Sequence, residues 1–340
     1  MGYPRKSLIC LEDTPYYHVV ARCVRRAWLW GYDAYAGKDY SHRKAWVLHR
    51  LRCLADIFAI DLCAYAIMSN HYHLVLRVDR QRMIRWSHAE IVTRWTELFS
   101  APPLIQRWQD GSASAAERRS AEQLIECWRL RLTDISWYMR CLNEYLARRA
   151  NAEDACTGRF WEGRFKSQAL LDETGLLTAM AYVDLNPVRA GIATTPEESE
   201  FTSIYARLQQ LRRDLPVHAR TRQQARGRPN RQGPPPLLAF SDSADPCRPN
   251  LPMKFLDYLQ LLDWSGRQRR AGKCGAMEQD LPSILARLQI DPDAWLRTMR
   301  PAGNRFGRAI GRLERLQSHA NRLGQCWIRG LQAARRLQRA

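Results

Sequence analysis

With 340 residues, 46% of them apolar, and a formal net charge of +19, the chain can bury a sizeable core, is not a disordered polymer, and is expected to meet a polyanion. Its ten cysteines include no pair at CxxC spacing, which excludes a zinc ribbon and a thioredoxin-like motif and fits reduced thiols in a cytosol. No run approaches the ~20 apolar residues of a membrane span, so no membrane partner and a cytoplasmic location are expected.

Residues 16–24 form the first strand candidate, where period-two alternation puts His18, Val20 and Arg22 on one face. Ser41 is placed to cap a helix reaching about Phe58, with Val47, Leu51 and Leu54 in its apolar stripe. Two short apolar runs, 60–68 and 72–78, flank Ser69-Asn70 as strand, turn and strand. Residues 79–132, with Trp86, Trp95, Trp108 and Trp128 and a Pro-Pro step at 102–103, predict a mostly helical insertion. A framework helix follows over about 133–150, then a strand or hairpin over 160–171 and a helix over 174–185.

Beyond residue 200 the texture changes. A short helix over 202–213 leads into a stretch, 214–252, rich in Pro, Arg, Gln and Ser, which is a linker by composition. Helical patterns recur at 253–264, 281–299 and 304–337. The charge excess lies here: residues 1–200 hold 27 Lys and Arg against 24 Asp and Glu, and residues 201–340 hold 26 against 10. All but two of these later cations are Arg, whose planar fork suits phosphate. A basic surface serving solubility alone has the same composition.

Three segments carry chemistry. In Met68-Ser69-Asn70-His71-Tyr72-His73-Leu74, a strand puts both imidazoles on one face, within reach of one ion. A pair of histidines at this spacing also suits an ordinary surface strand. In Tyr182-Val183-Asp184-Leu185-Asn186-Pro187, a helix sets the Tyr182 phenol beside the Asn186 amide, four residues on. The alternative is an amphipathic tyrosine before a helix-stopping Asn-Pro pair. On a strand at 164–168, Arg164, Lys166 and Gln168 share a face, a candidate phosphate track.

These segments together resemble the REP-associated tyrosine transposases, relatives of the single-tyrosine HUH transposases. Residues 68–74 are similar to their Met-x-Asn-His-x-His-Leu signature, and Trp161-Glu162-Gly163-Arg164-Phe165-Lys166-Ser167 to their Trp-x-x-Arg-aromatic-x-Ser strand. Tyr182 through Ala190 resembles their Tyr-x-x-x-Asn-Pro-x-Arg-Ala segment. The match covers about residues 14–195.

The resemblance implies an α+β, ferredoxin-like HUH domain over 1–200, with the helical insertion at about 79–132. A helix and Pro/Arg-rich linker (201–252) and a basic helical C-terminal domain (253–340) would follow. It implies Tyr182 as nucleophile, and His71, His73 and Asn186 as ligands of Mg²⁺ or Mn²⁺. The activity implied is cleavage and rejoining of single-stranded DNA at hairpin-forming repeats, by a monomer or homodimer at the nucleoid. Arg22, Arg25, Arg159, Arg164, Lys166, Gln168 and Arg189 are the expected phosphate contacts, with Trp161 a stacking face for unpaired bases. A catalytically silent hairpin-binding protein and a water-using phosphodiesterase are the competing readings.

Overall fold

The computed structural model describes residues 8–24, 31–33, 37–214, 233–241, 249–267 and 309–324. Arg25 and the helical pattern at 281–299 lie outside them, as do most of the linker and parts of the 304–337 pattern.

Strand β1 (Tyr16–Arg22) is central in a five-stranded sheet. After a small ribbon, β2 (Tyr32–Asp33) with β3 (Lys38–Asp39), come helix α1 (Arg43–Ile57) and the hairpin β4 (Ile60–Ile67) and β5 (His71–Val78). Four helices form the insertion: α2 (Arg80–Ile84), α3 (His88–Thr96), α4 (Pro103–Asp110) and α5 (Ala115–Arg131). Helix α6 (Ile135–Glu153) leads to β6 (Lys166–Leu170). Helix α7 (Glu173–Asp184) follows, then α8 (Asn186–Arg189), α9 (Ser203–Asp214) and α10 (Phe255–Arg267). Strand β7 (Ala309–Ile310) and helix α11 (Leu313–Arg322) complete the described elements.

The sheet order is β4-β5-β1-β6-β7, antiparallel except where β7 joins β6 in parallel. β1, α1, β4, β5, α6 and β6 in that sequence and order make the βαββαβ pattern of a ferredoxin-like α+β domain.

Alternation sorts the side chains onto two faces. Tyr17, Val19, Tyr72 and Leu74 turn toward α1 and α6, whose Leu51, Leu54, Met139 and Leu142 complete a core that the insertion extends through Trp95 and Trp128. These two indoles stack with centroids 5.3 Å apart. Both α3 and α5 begin with reciprocal capping boxes, Ser87 with Glu90 and Ser114 with Glu117, so the insertion's start signals are local. Val75 and Leu170, on the other face, pack with α7, together with Leu251, Tyr258 and Leu261.

Local details differ from expectation for identifiable reasons. Ser41 does not cap α1: its hydroxyl and backbone N–H both go to Asp39, at 2.6 and 2.8 Å, and the cap position falls on His42, which makes no capping bond. The 160–171 stretch is strand only from Lys166, so Arg164 precedes it and stands exposed. Part of the compositional linker is packed: the Leu238 N–H donates to the Leu62 carbonyl at 2.8 Å, along the outer edge of β4. On that same edge the Ile67 N–H reaches the Phe201 carbonyl (3.2 Å), and the Tyr65 N–H reaches Ser203 Oγ (2.9 Å).

Helix α7 is held from behind. The Asp184 carboxylate, fully buried, accepts from Ser203 Oγ (2.5 Å), the Ile204 N–H (3.0 Å) and Tyr258 Oη (2.6 Å), tying α7 to α9 and α10. Burial raises the pKa of that carboxyl, partly offset by these bonds and by the Arg207 charge.

Candidate active site

The sheet face toward α7 carries the imidazoles. In the ladder, Val20 stands opposite both His73 and Lys166, His18 opposite Val75 and Gln168, and Arg22 opposite His71. His18, His71 and His73 therefore share one face with Arg22, Lys166 and Gln168. His71 is half-buried, while His18 and His73 are buried at 8% and 5% exposure.

Tyr182 arrives from α7. Its ring meets the imidazoles edge-on, with centroids 5.6 Å from His73 and 6.1 Å from His18. The His71 and His73 rings are 4.9 Å apart. The phenol is half-buried on a helix whose neighbouring residues are buried. Pro187 does not swing Asn186 away. Leu185 breaks the helix by one residue, yet its N–H still bonds the Ala181 carbonyl (3.1 Å) and the Arg189 N–H bonds the Leu185 carbonyl (3.0 Å). Pro187 occupies the first turn of α8, where a missing N–H is harmless. Tyr182, Asn186 and Arg189 thus stay on one helical face, with the Arg189 guanidinium carbon 5.1 Å from the centre of the Tyr182 ring.

The Nδ1 atoms of His71 and His73 each have a close polar neighbour. His71 Nδ1 lies 2.7 Å from Asn70 Oδ1, and His73 Nδ1 lies 3.0 Å from His18 Nε2. The Nε2 of His73 is buried with no hydrogen-bond partner. Burial pushes the pKa values of His71 and His18 down to about 4, and the His71 shift has a further contribution from Arg22. His73 is lowered strongly, by burial first and then by its charged and imidazole neighbours. Each shift favours the neutral ring, the state in which imidazole donates a lone pair.

Among the described residues, three or more His, Cys, Asp or Glu side chains nowhere converge as a ligand set. An ion at His71 and His73 would therefore complete its shell with neutral oxygens, water or phosphate. The buried Asn186 carboxamide nitrogen has no hydrogen-bond partner, and turning the amide over presents an oxygen lone pair in its place. An orphaned imidazole nitrogen and an orphaned amide suit a hard divalent ion with mixed nitrogen and oxygen ligands.

The remaining expected residues divide. Arg22 and Lys166 are exposed on the imidazole face, and Arg159 and Arg164 are exposed on the loop before β6. Gln168 is turned inward, its Oε1 3.4 Å from His18 Nδ1. The structure separates Trp161 from the group: its ring packs on Tyr72, which faces away from the imidazoles, and its indole N–H goes to the Asn143 carbonyl at 2.9 Å. Sequence reasoning placed His18 on the correct strand face and gave it no role; the spacing of β1 alone does not show that it meets His73.

No protein-family profile matches the chain, and no curated protein matches it. A solved structure that is similar is described as "Structure of the REP associates tyrosine transposase bound to a REP hairpin", with 11% identity and a TM-score of 0.38, covering 62% of this chain and 87% of that one. At that identity and TM-score, any functional reading rests on the chain's own residues.

Proposed function

We propose that the chain is a divalent-metal-dependent enzyme that cleaves and rejoins single-stranded DNA through a 5′-phosphotyrosine at Tyr182. The observation that carries the reading is the buried, unpartnered Nε2 of His73, whose ring lies beside those of His71 and Tyr182. The hairpin-repeat substrate is taken from the motif resemblance.

His71, His73 and Asn186 would hold Mg²⁺ or Mn²⁺, which when bound neutralises charge on the scissile phosphate and stabilises the departing oxygen. Tyr182 Oη bonds to phosphorus as the bond to the 3′-oxygen breaks; the phenolic proton passes to solvent and the 3′ end leaves as a hydroxyl. Arg189, over the phenol ring, fixes the ring's attitude and brings positive charge beside the incoming phosphate. Arg22 and Lys166 hold flanking phosphates on the same sheet face, with Arg159 and Arg164 on the adjoining loop. Attack by a different 3′-hydroxyl reverses the step and joins strands without an external energy source.

The test is a denaturing gel of the full chain incubated with 3′-labelled single-stranded hairpin DNA and Mn²⁺. A protein-linked band that disappears in Tyr182→Phe and in His73→Ala is the expected result. Cleavage that persists in Tyr182→Phe assigns the attack to water, and binding with neither adduct nor cut leaves a silent hairpin-binding protein.

A further inference from the structure

We propose that His18 is a positioning residue: it fixes the proton of His73 on Nδ1, so that Nε2 presents its lone pair to the metal. The inference rests on the metal site of the preceding section.

The His18 and His73 rings are nearly parallel, at 10°, with centroids 5.2 Å apart and facing nitrogens 3.0 Å apart. That centroid distance is close to the largest such a nitrogen separation permits, so the rings lie end to end with their nitrogens on the line between them. An ion needs about 2.0–2.1 Å to each imidazole nitrogen, and none fits on that line. The contact is an N–H···N hydrogen bond, and one nitrogen of the two carries the proton.

The surroundings select which one. Gln168 Oε1 faces His18 Nδ1, and a carbonyl oxygen only accepts. His18 therefore keeps its proton on Nδ1, leaves Nε2 as an acceptor, and takes the hydrogen bond from His73 Nδ1–H. The opposite arrangement would put a proton on His73 Nε2, where it is buried without an acceptor. His71 is set the same way by a different group, its Nδ1 donating to Asn70 Oδ1. Each ligand imidazole thus has its inner nitrogen tied and its outer nitrogen open, and an acceptor behind a ligand imidazole makes it more basic.

Two measurements on the full chain test this. The first, on the metal-free protein, is a long-range ¹⁵N–¹H correlation of the histidine rings. The expected result is the Nδ1–H tautomer for His73; an Nε2–H tautomer in the unsubstituted protein overturns the proposal, whatever the variants do. The second is Mn²⁺ affinity by calorimetry without DNA. Replacing His18 by Leu is expected to weaken binding about 10- to 100-fold, and His18→Gln, whose side-chain oxygen can accept near the former Nε2, is expected to restore most of it. Unchanged affinity in His18→Leu, or equal loss in both variants, overturns the positioning role. Failure of Tyr182 to form an adduct, with these two results as expected, would count against the proposed function alone.

Discussion

Removing the Tyr258 hydroxyl perturbs helix α7 from behind. Tyr258 Oη donates to Asp184 at 2.6 Å, both groups are fully buried, and the Tyr258 ring also packs on Phe240 with centroids 5.1 Å apart. Tyr258→Phe keeps the ring and deletes one hydrogen bond to a carboxylate, which costs about 1.5–3 kcal/mol. Asp184→Ala strands three donors at once, from Ser203, Ile204 and Tyr258, for a loss of about 3–5 kcal/mol. The double variant should lose less than the sum, by roughly the value of the shared bond. Urea unfolding of all four proteins, followed by circular dichroism at constant slope, reads these differences. Additivity within about 0.5 kcal/mol, or a Tyr258→Phe loss below that size, would refute the claim that this bond anchors α7. Truncation at residue 214 removes Tyr258 altogether. A truncated protein with lowered DNA affinity must therefore be checked for folding before the loss is assigned to missing cations.

Other expectations follow from single contacts. A methyl group added at Gly175 would meet the Ile310 carbonyl oxygen at 2.8 Å, so Gly175→Ala should cost about 1–3 kcal/mol as overpacking, measured by thermal unfolding. Arg43, 1% exposed, pairs with Glu153 and Asp154 and lies 4.0 Å from the Tyr40 ring centre. Because those carboxylates are partly exposed and can rehydrate, Arg43→Met should cost about 2–3 kcal/mol, below the range for fully buried pairs. Burial raises the thiol pKa values of Cys23 and Cys63, whereas Cys127 and Cys156 are exposed. Peptide mapping after brief native alkylation should find label on Cys127 and Cys156 and none on Cys23 or Cys63 until the protein is unfolded.

Much of this site is written locally. The alternation through His71, Tyr72 and His73 fixes a face without any knowledge of neighbours, and the four-residue step from Tyr182 to Asn186 fixes a helical edge. Both survive folding, Pro187 included, because a proline in the first turn of α8 costs no hydrogen bond. Nonlocal pairings were not legible. His18 is 55 residues from His73, and nothing in the pattern around either one names the other. Gln168 has the residue type and strand face of a phosphate contact, yet its amide turns to His18. Trp161 belongs to a recognisable motif, but its position follows from packing on Tyr72, on the opposite sheet face. Proline and arginine content marked 214–252 as linker, while the apolar Leu237-Leu238 step within it packs along β4.

The segments after residue 200 also give the sheet its borders. Backbone groups along the outer edge of β4 bond Phe201, Ser203, Arg207 and Leu238, and β6 is flanked by β7. A fragment ending at residue 200, although it holds every expected catalytic and metal-binding side chain, would display two rows of unmatched amides and carbonyls along its rims. Such rims recruit strands from other molecules, so a fragment cut at residue 200 should self-associate more readily than the full chain.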